Sequence, residues 1–124
     1  MKIISTESAP AAIGPYSQAI QNDGLLFCSG QIPLSPDTGT MVDGGIKEQT
    51  EQVAKNIGGI LSAAGIDFSN VIKTTCFLTD MNDFADFNEV YSKYFIGKPA
   101  RSCVAVSALP RNALVEIEVI AKIN

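Results

Sequence analysis

From Leu114 to Ile123 the chain alternates with a period of two. Val115, Ile117, Val119, Ala121 and Ile123 fall on one side, and Leu114, Glu116, Glu118, Ile120 and Lys122 on the other. Such alternation describes a β-strand with one face buried. The second face is only half polar, and a half-apolar sheet face left bare argues for self-association. A second strand, Pro99 to Val106, precedes it and carries Arg101 as its lone charge. The break at Leu109-Pro110-Arg111-Asn112 reads as a short loop that folds the two strands into a hairpin.

The middle of the chain supplies helices. Ile46, Val53, Ile57, Ile60, Leu61 and Ala64 recur at helical spacing, which predicts a helix over 46–64 that stops at Gly65. Gly58-Gly59 inside it costs about 1 kcal/mol per glycine relative to alanine, a cost that either close packing against a neighbouring backbone or local fraying would explain. The β-branched run 71–78 reads as a strand. A second helix is expected over 82–95, capped by Asn82 or Asp83, with Phe84, Phe87, Tyr91, Tyr94 and Phe95 inward and Asn88 among them. Upstream, residues 2–6 suit an edge strand, and Pro10, Gly14 and Pro15 stiffen a loop ending at Tyr16. Asn22-Asp23-Gly24 suits a hairpin turn before the strand 25–29, and the Pro- and Gly-containing stretch 33–45 a surface loop. The order is β-β-β-α-β-α-β-β. Each helix links two strands as a parallel crossover requires, and hairpins lie at both ends. The fold class is α+β: a two-layer, mixed sheet of about six strands with both helices on one face.

At 124 residues the chain suits one domain. No apolar run has the length of a membrane span and the first residues lack a signal-peptide core, so the expected address is the cytoplasm. Three cysteines without a close pair suit reduced thiols. Net charge is −4 and the basic residues are scattered, which argues against nucleic acid. There is no histidine, so Ser-His-Asp and Cys-His catalysis and histidine-ligated metals are excluded. Proton transfer falls to carboxylates, tyrosine, cysteine, lysine, backbone or water.

Pairing Val106 with Ala113 sets Cys103 opposite Glu116 and Arg101 opposite Glu118, all on the face away from the helices; a slip of one residue destroys the arrangement. Arg101 then either pairs with Glu118 or grips an anion through its bidentate fork. Glu116 either lies solvated or positions a water. Cys103 is a small core residue or lends its backbone amide to a ligand, Asn88 is a satisfied core amide or a tie from helix to loop, and Tyr16 packs or donates. Spacing leaves these alternatives open.

Three segments carry a resemblance: Ala11-Ala-Ile-Gly-Pro-Tyr-Ser17, Ser29-Gly-Gln-Ile-Pro33, and Pro99-Ala-Arg-Ser-Cys-Val104 with Val115-Glu-Ile-Glu118. With Asn82-Asp-Phe84 and Asn88, they resemble the reactive-intermediate deaminase (Rid/YjgF) family over essentially the whole chain. The resemblance implies a chorismate-mutase-like fold assembled as a homotrimer with a cleft at each subunit interface. It implies cofactor-independent hydrolysis of enamines and imines such as 2-aminoacrylate to a 2-keto acid and ammonia. Arg101 is then expected to hold the substrate carboxylate and Glu116 to orient water with help from Tyr16. Ser29, Gly30, Asn88 and the Cys103 amide would line the pocket, with no metal or cofactor, and Glu118 keeps a structural role. Ala105 and Ala108 depart from the family pattern, which often carries glutamate and arginine there. The competing expectations are a carboxylate-binding regulatory module without turnover, and the RNA-cleaving, translation-inhibiting or holdase roles credited to some relatives.

Overall fold

The computed structural model describes residues 1–124. Strands β1 (Lys2–Ile4), β2 (Ala19–Asn22) and β3 (Leu25–Gln31) are followed by helix α1 (Ile46–Ala63) and β4 (Val71–Leu78). Helix α2 (Phe84–Tyr94), β5 (Ala100–Ala105) and β6 (Val115–Lys122) complete the chain. The six strands form one mixed sheet in the order β1-β2-β3-β6-β4-β5. The expected α+β class and element order therefore hold. No helix is long and apolar enough to cross a membrane.

β6 sits at the centre of this sheet. It runs antiparallel to β3 on one side and to β4 on the other. Its alternation is the one anticipated: Val115, Ile117, Val119 and Ala121 are buried, whereas Glu116, Glu118, Ile120 and Lys122 face away from the helices. The buried row packs with Val53, Ile57, Ile60 and Leu61 of α1 and Phe87 of α2. α1 meets both β6 and β3.

The expected C-terminal hairpin does not form. β5 pairs in parallel with β4, Arg101 beside Thr74 and Cys103 beside Cys76, so β4 lies between β5 and β6. The crossover through α2 carries β5 to the outer edge of β4. The chain then passes the end of β4 to reach its other side. Both arms are tied there, Val106 donating its N–H to Leu78 at 2.8 Å while Leu114 accepts from Thr79 at 3.3 Å.

Smaller expectations are also resolved. A turn of 3-10 helix, Met81–Asp83, precedes α2, and the side chain that accepts at its start is that of Asp80, toward Asn82 N–H. Neither Asn82 nor Asp83 caps by its side chain. Phe87, Tyr91 and Phe95 are buried as expected, while Phe84 and Tyr94 are half-buried. Gly59 does meet a backbone: a Cβ there would lie 2.9 Å from the carbonyl carbon of Ser8 and closer still to its oxygen. Gly58 instead faces the Phe68 ring.

Candidate active site

On the open face of the sheet, the key local feature is a bulge in β3. Cys28 pairs with Val119 but Gln31 with Ile117, so β3 carries one extra residue at Ser29-Gly30 opposite β6. A bulge re-aims the residues it contains. Here it brings the Gly30 backbone against the Glu116 side chain, where an added Cβ would stand 2.8 Å from the carboxyl carbon and closer still to Oε2. Ser29 donates its hydroxyl to Ser17 O at 2.6 Å, and its N–H to Gln18 O at 2.9 Å. Those bonds hold the segment that carries Tyr16, whose ring is 53% exposed and free to meet a ligand.

Tyr16, Ser29, Gly30 and Glu116 line a cavity of about 670 Å³, walled also by Ile13, Ile32 and Leu34. Arg111 and Glu118 lie at the same cavity. Burial raises the Glu116 carboxyl above its ordinary range, and the neighbouring Glu118 charge raises it further. A carboxylate poised in this way is a better base near neutral pH than a solvated one.

Arg101 stands elsewhere. Because β5 takes its register from β4, Arg101 shares the side of Thr74, which is buried toward the helices. Its guanidinium donates from Nη1 to Asn88 Oδ1 at 2.7 Å. Its central carbon lies 4.9 Å from the Tyr91 ring centroid and 5.4 Å from that of Phe84. No carboxylate pairs with it; the one ion pair in the structure joins Lys47 to Glu89. Asn88, Tyr91, Ser92, Lys98 and Arg101 border a separate pocket of about 370 Å³.

Arg101 and Glu116 therefore occupy opposite faces of one sheet, contrary to the shared face expected from a hairpin. The assumed pairing failed, and with it Arg101 lost its place opposite Glu118 and Cys103 its place opposite Glu116. The internal Arg101–Glu118 ion pair is excluded as well. Asn88 is a tie, but to Arg101 rather than to a loop. Cys103 is half-buried next to Cys76; burial raises its thiol, against the opposing pull of Arg101. Its backbone is more useful. Val106 N–H points at β4, and strand amides alternate in direction, so the Cys103 N–H points to the free edge of β5. Ala105 and Ala108 are exposed and line neither cavity.

Residues around the two cavities that sequence reasoning missed carry little or no signal in the sequence. Gln18 is buried, donates to Thr6 O, Ala9 O and Pro10 O, and accepts from Thr6 N–H. Asn56, also buried, donates to Ile32 O and Leu34 O and so fixes one wall of the Glu116 cavity. Tyr91 looked like any core aromatic. A polar residue inside a helical stripe was the one available hint, and it applied to Asn56 alone.

Comparison with known proteins agrees with this arrangement of elements. A family described as Endoribonuclease L-PSP matches residues 6–123. The mouse protein named 2-iminobutanoate/2-iminopropanoate deaminase is 57% identical, covering 97% of this chain and 90% of that one. A crystal structure of the Rid-family protein YyfA from Yersinia pestis is 53% identical with a TM-score of 0.96, covering 98% of both chains. The structure of TdcF from E. coli with bound serine is 43% identical with a TM-score of 0.95, over 100% of both chains. With its six-stranded sheet, bulged β3 and full-length similarity, the chain belongs to the Endoribonuclease L-PSP family, the Rid/YjgF deaminases among them.

Proposed function

We propose that this protein is a hydrolase of reactive 2-imino acids and their enamine tautomers, releasing a 2-keto acid and ammonia. Its similarity to named deaminases over nearly the full chain supports that activity. The observation that carries the chemical assignment is Arg101: a permanent cation, held in place by Asn88 and two rings, with no carboxylate partner. A pre-oriented guanidinium without a counter-ion suits the carboxylate that every 2-imino acid carries.

The imine carbon is already electrophilic, so a positioned water and a base suffice. Glu116 accepts a proton as the water oxygen bonds to that carbon, and Tyr16 helps to orient the water. That proton returns to nitrogen, and as the carbon–nitrogen bond breaks the new hydroxyl gives up its own proton, so that ammonia leaves and the keto group remains. Ser29 and Gly30 shape the wall beside Glu116, and the outward Cys103 N–H donates to the substrate at the β5 edge.

One chain cannot apply Arg101 and Glu116 to the same small molecule, because the sheet separates them. The reading therefore takes the 124 residues as one domain of a homotrimer. The β5 edge of one subunit meets the open sheet face of the next, and each interface completes a site. Partly exposed apolar side chains on that open face, Phe27 and Ile120, support burial by a second copy. The acidic balance and scattered cations favour a small carboxylate over RNA.

The test is complementation. Arg101→Ala and Glu116→Ala chains are each expected to retain only a small, measurable fraction of wild-type kcat/KM in a lactate-dehydrogenase-coupled assay for pyruvate release from 2-aminoacrylate. Mixed and reassembled, they are expected to recover about a quarter of wild-type activity, the share of interfaces that inherit both native side chains. No recovery from a confirmed mixed oligomer would place both groups in one subunit and overturn the interface site. Full activity of Arg101→Ala alone would remove Arg101 from the chemistry.

A further inference from the structure

The aromatic support beneath Arg101 is more elaborate than packing requires. Tyr91 is 8% exposed, and its hydroxyl shares a hydrogen bond of 2.7 Å with Thr74 Oγ1, which is fully buried. Its ring stacks on Phe95 with centroids 4.3 Å apart at 18°, and meets Phe87 at 5.4 Å. The ring is thus held at one end by a hydrogen bond, by stacking on Phe95 and by a tilted contact with Phe87. The guanidinium carbon lies over it, 4.9 Å from the centroid. Thr74 is also the residue that β5 uses to register Arg101. The backbone and the side chain of Arg101 are therefore located by the same residue of β4, directly in one case and through Tyr91 in the other.

A guanidinium on an exposed edge strand has many rotamers, and an arginine side chain loses that freedom when it is ordered. A preset π face lowers what remains to be lost when a ligand binds. We infer that Tyr91 is a positioning residue for the reaction: its ring, locked by Thr74 and Phe95, aims the Arg101 guanidinium at the substrate carboxylate. The inference rests on the assignment of Arg101 as the carboxylate anchor. Asn88 fixes one nitrogen of the fork, and the ring fixes the plane, so the remaining N–H groups present in a set direction.

Because the effect acts through carboxylate binding in ground and transition states alike, it belongs in KM rather than kcat. Tyr91→Leu is expected to raise KM about tenfold for 2-iminobutanoate generated in situ by an amino-acid oxidase, with kcat held within about twofold. Tyr91→Phe keeps the ring and is expected to restore KM to within about threefold of wild type. For the methyl ester of the same imine, which has no carboxylate, wild type and Tyr91→Leu are expected to turn over alike. On an Arg101→Ala background, Tyr91→Leu is expected to add nothing further to the loss in kcat/KM, as a shared pathway requires.

Equal losses in kcat for acid and ester, or additive losses on the Arg101→Ala background, would make Tyr91 a mere packing residue and overturn the inference. A Tyr91→Phe variant as impaired as Tyr91→Leu would do the same, since the ring would then not be the active feature. If Arg101→Ala itself leaves KM unchanged, the anchor assignment fails instead, and the two failures are told apart by that single arm.

Discussion

Replacing Gly30 by alanine isolates the placement of Glu116 from the stability of the fold. The new methyl carbon would stand 2.8 Å from the Glu116 carboxyl carbon and 3.0 Å from Cγ, where ordinary contact begins near 3.4 Å. The obstructing group is the far end of a flexible side chain in a cavity, so it can move without disturbing the backbone. The carboxylate must retreat by about 1 Å to reach ordinary contact. An off-rotamer glutamate costs about 1 kcal/mol, whereas alanine in place of glycine at a compatible strand position gains up to about 1 kcal/mol through the unfolded chain. Those two effects roughly cancel. A misplacement of about 1 Å in a reacting group, by contrast, costs about a hundredfold in rate. The expectation is a melting temperature within a few degrees of wild type, at equal protein concentration, with kcat reduced about a hundredfold. Affinity for a product 2-keto acid, read by calorimetry, should change little because Arg101 is untouched. A Gly30→Ala enzyme with kcat within about threefold of wild type and a displaced Glu116 in its crystal structure would refute the reasoning. The carboxylate's position would then not govern the reaction.

Glu118→Gln removes the charge that helps hold the Glu116 carboxyl high. The acid limb of the kcat–pH profile should therefore move to lower pH, and an unmoved or raised limb would contradict the coupling. The same shift has a stability consequence. A carboxyl with a raised folded-state pKa binds its proton more tightly when folded, so its contribution is fully present below the unfolded value and is lost as pH rises through the folded one. Glu116→Gln should flatten that part of the stability–pH curve, measured by urea unfolding. Gly59→Ala drives a methyl group into the Ser8 carbonyl and should cost about 1–3 kcal/mol, seen as a lower denaturation midpoint. Gln18→Leu strands Thr6 N–H and the Thr6, Ala9 and Pro10 carbonyls. It should cost about 2 kcal/mol or more, and loosen the Tyr16 loop enough to appear first in hydrogen exchange at residues 5–16. A Gln18→Leu protein as stable as wild type would mean water replaces those bonds.

What the sequence determined was local. The α1 stripe, its stop at Gly65, the β-branched β4 and the alternation of β6 each follow from the periodicity of neighbouring residues, and all were legible. The glycine pair in α1 asked for a reason, and the structure chose between packing and fraying: Gly59 lies against the Ser8 backbone and Gly58 against the Phe68 ring. The chemistry was only bounded: without histidine, proton transfer was left to carboxylates, tyrosine, cysteine, lysine, backbone or water, and spacing did not choose among them. The tertiary structure alone decided how those groups relate. β5 is an edge strand exposed along most of its length, with no buried row to declare its face or its neighbour. Sequence adjacency suggested β6 as its partner, but the crossover through α2 delivers β5 to the far edge of β4. Which way Arg101 points follows from that pairing, not from its own neighbours. The choice put Arg101 and Glu116 on opposite faces of the sheet, so the single shared face that a hairpin would have given them does not exist within one chain.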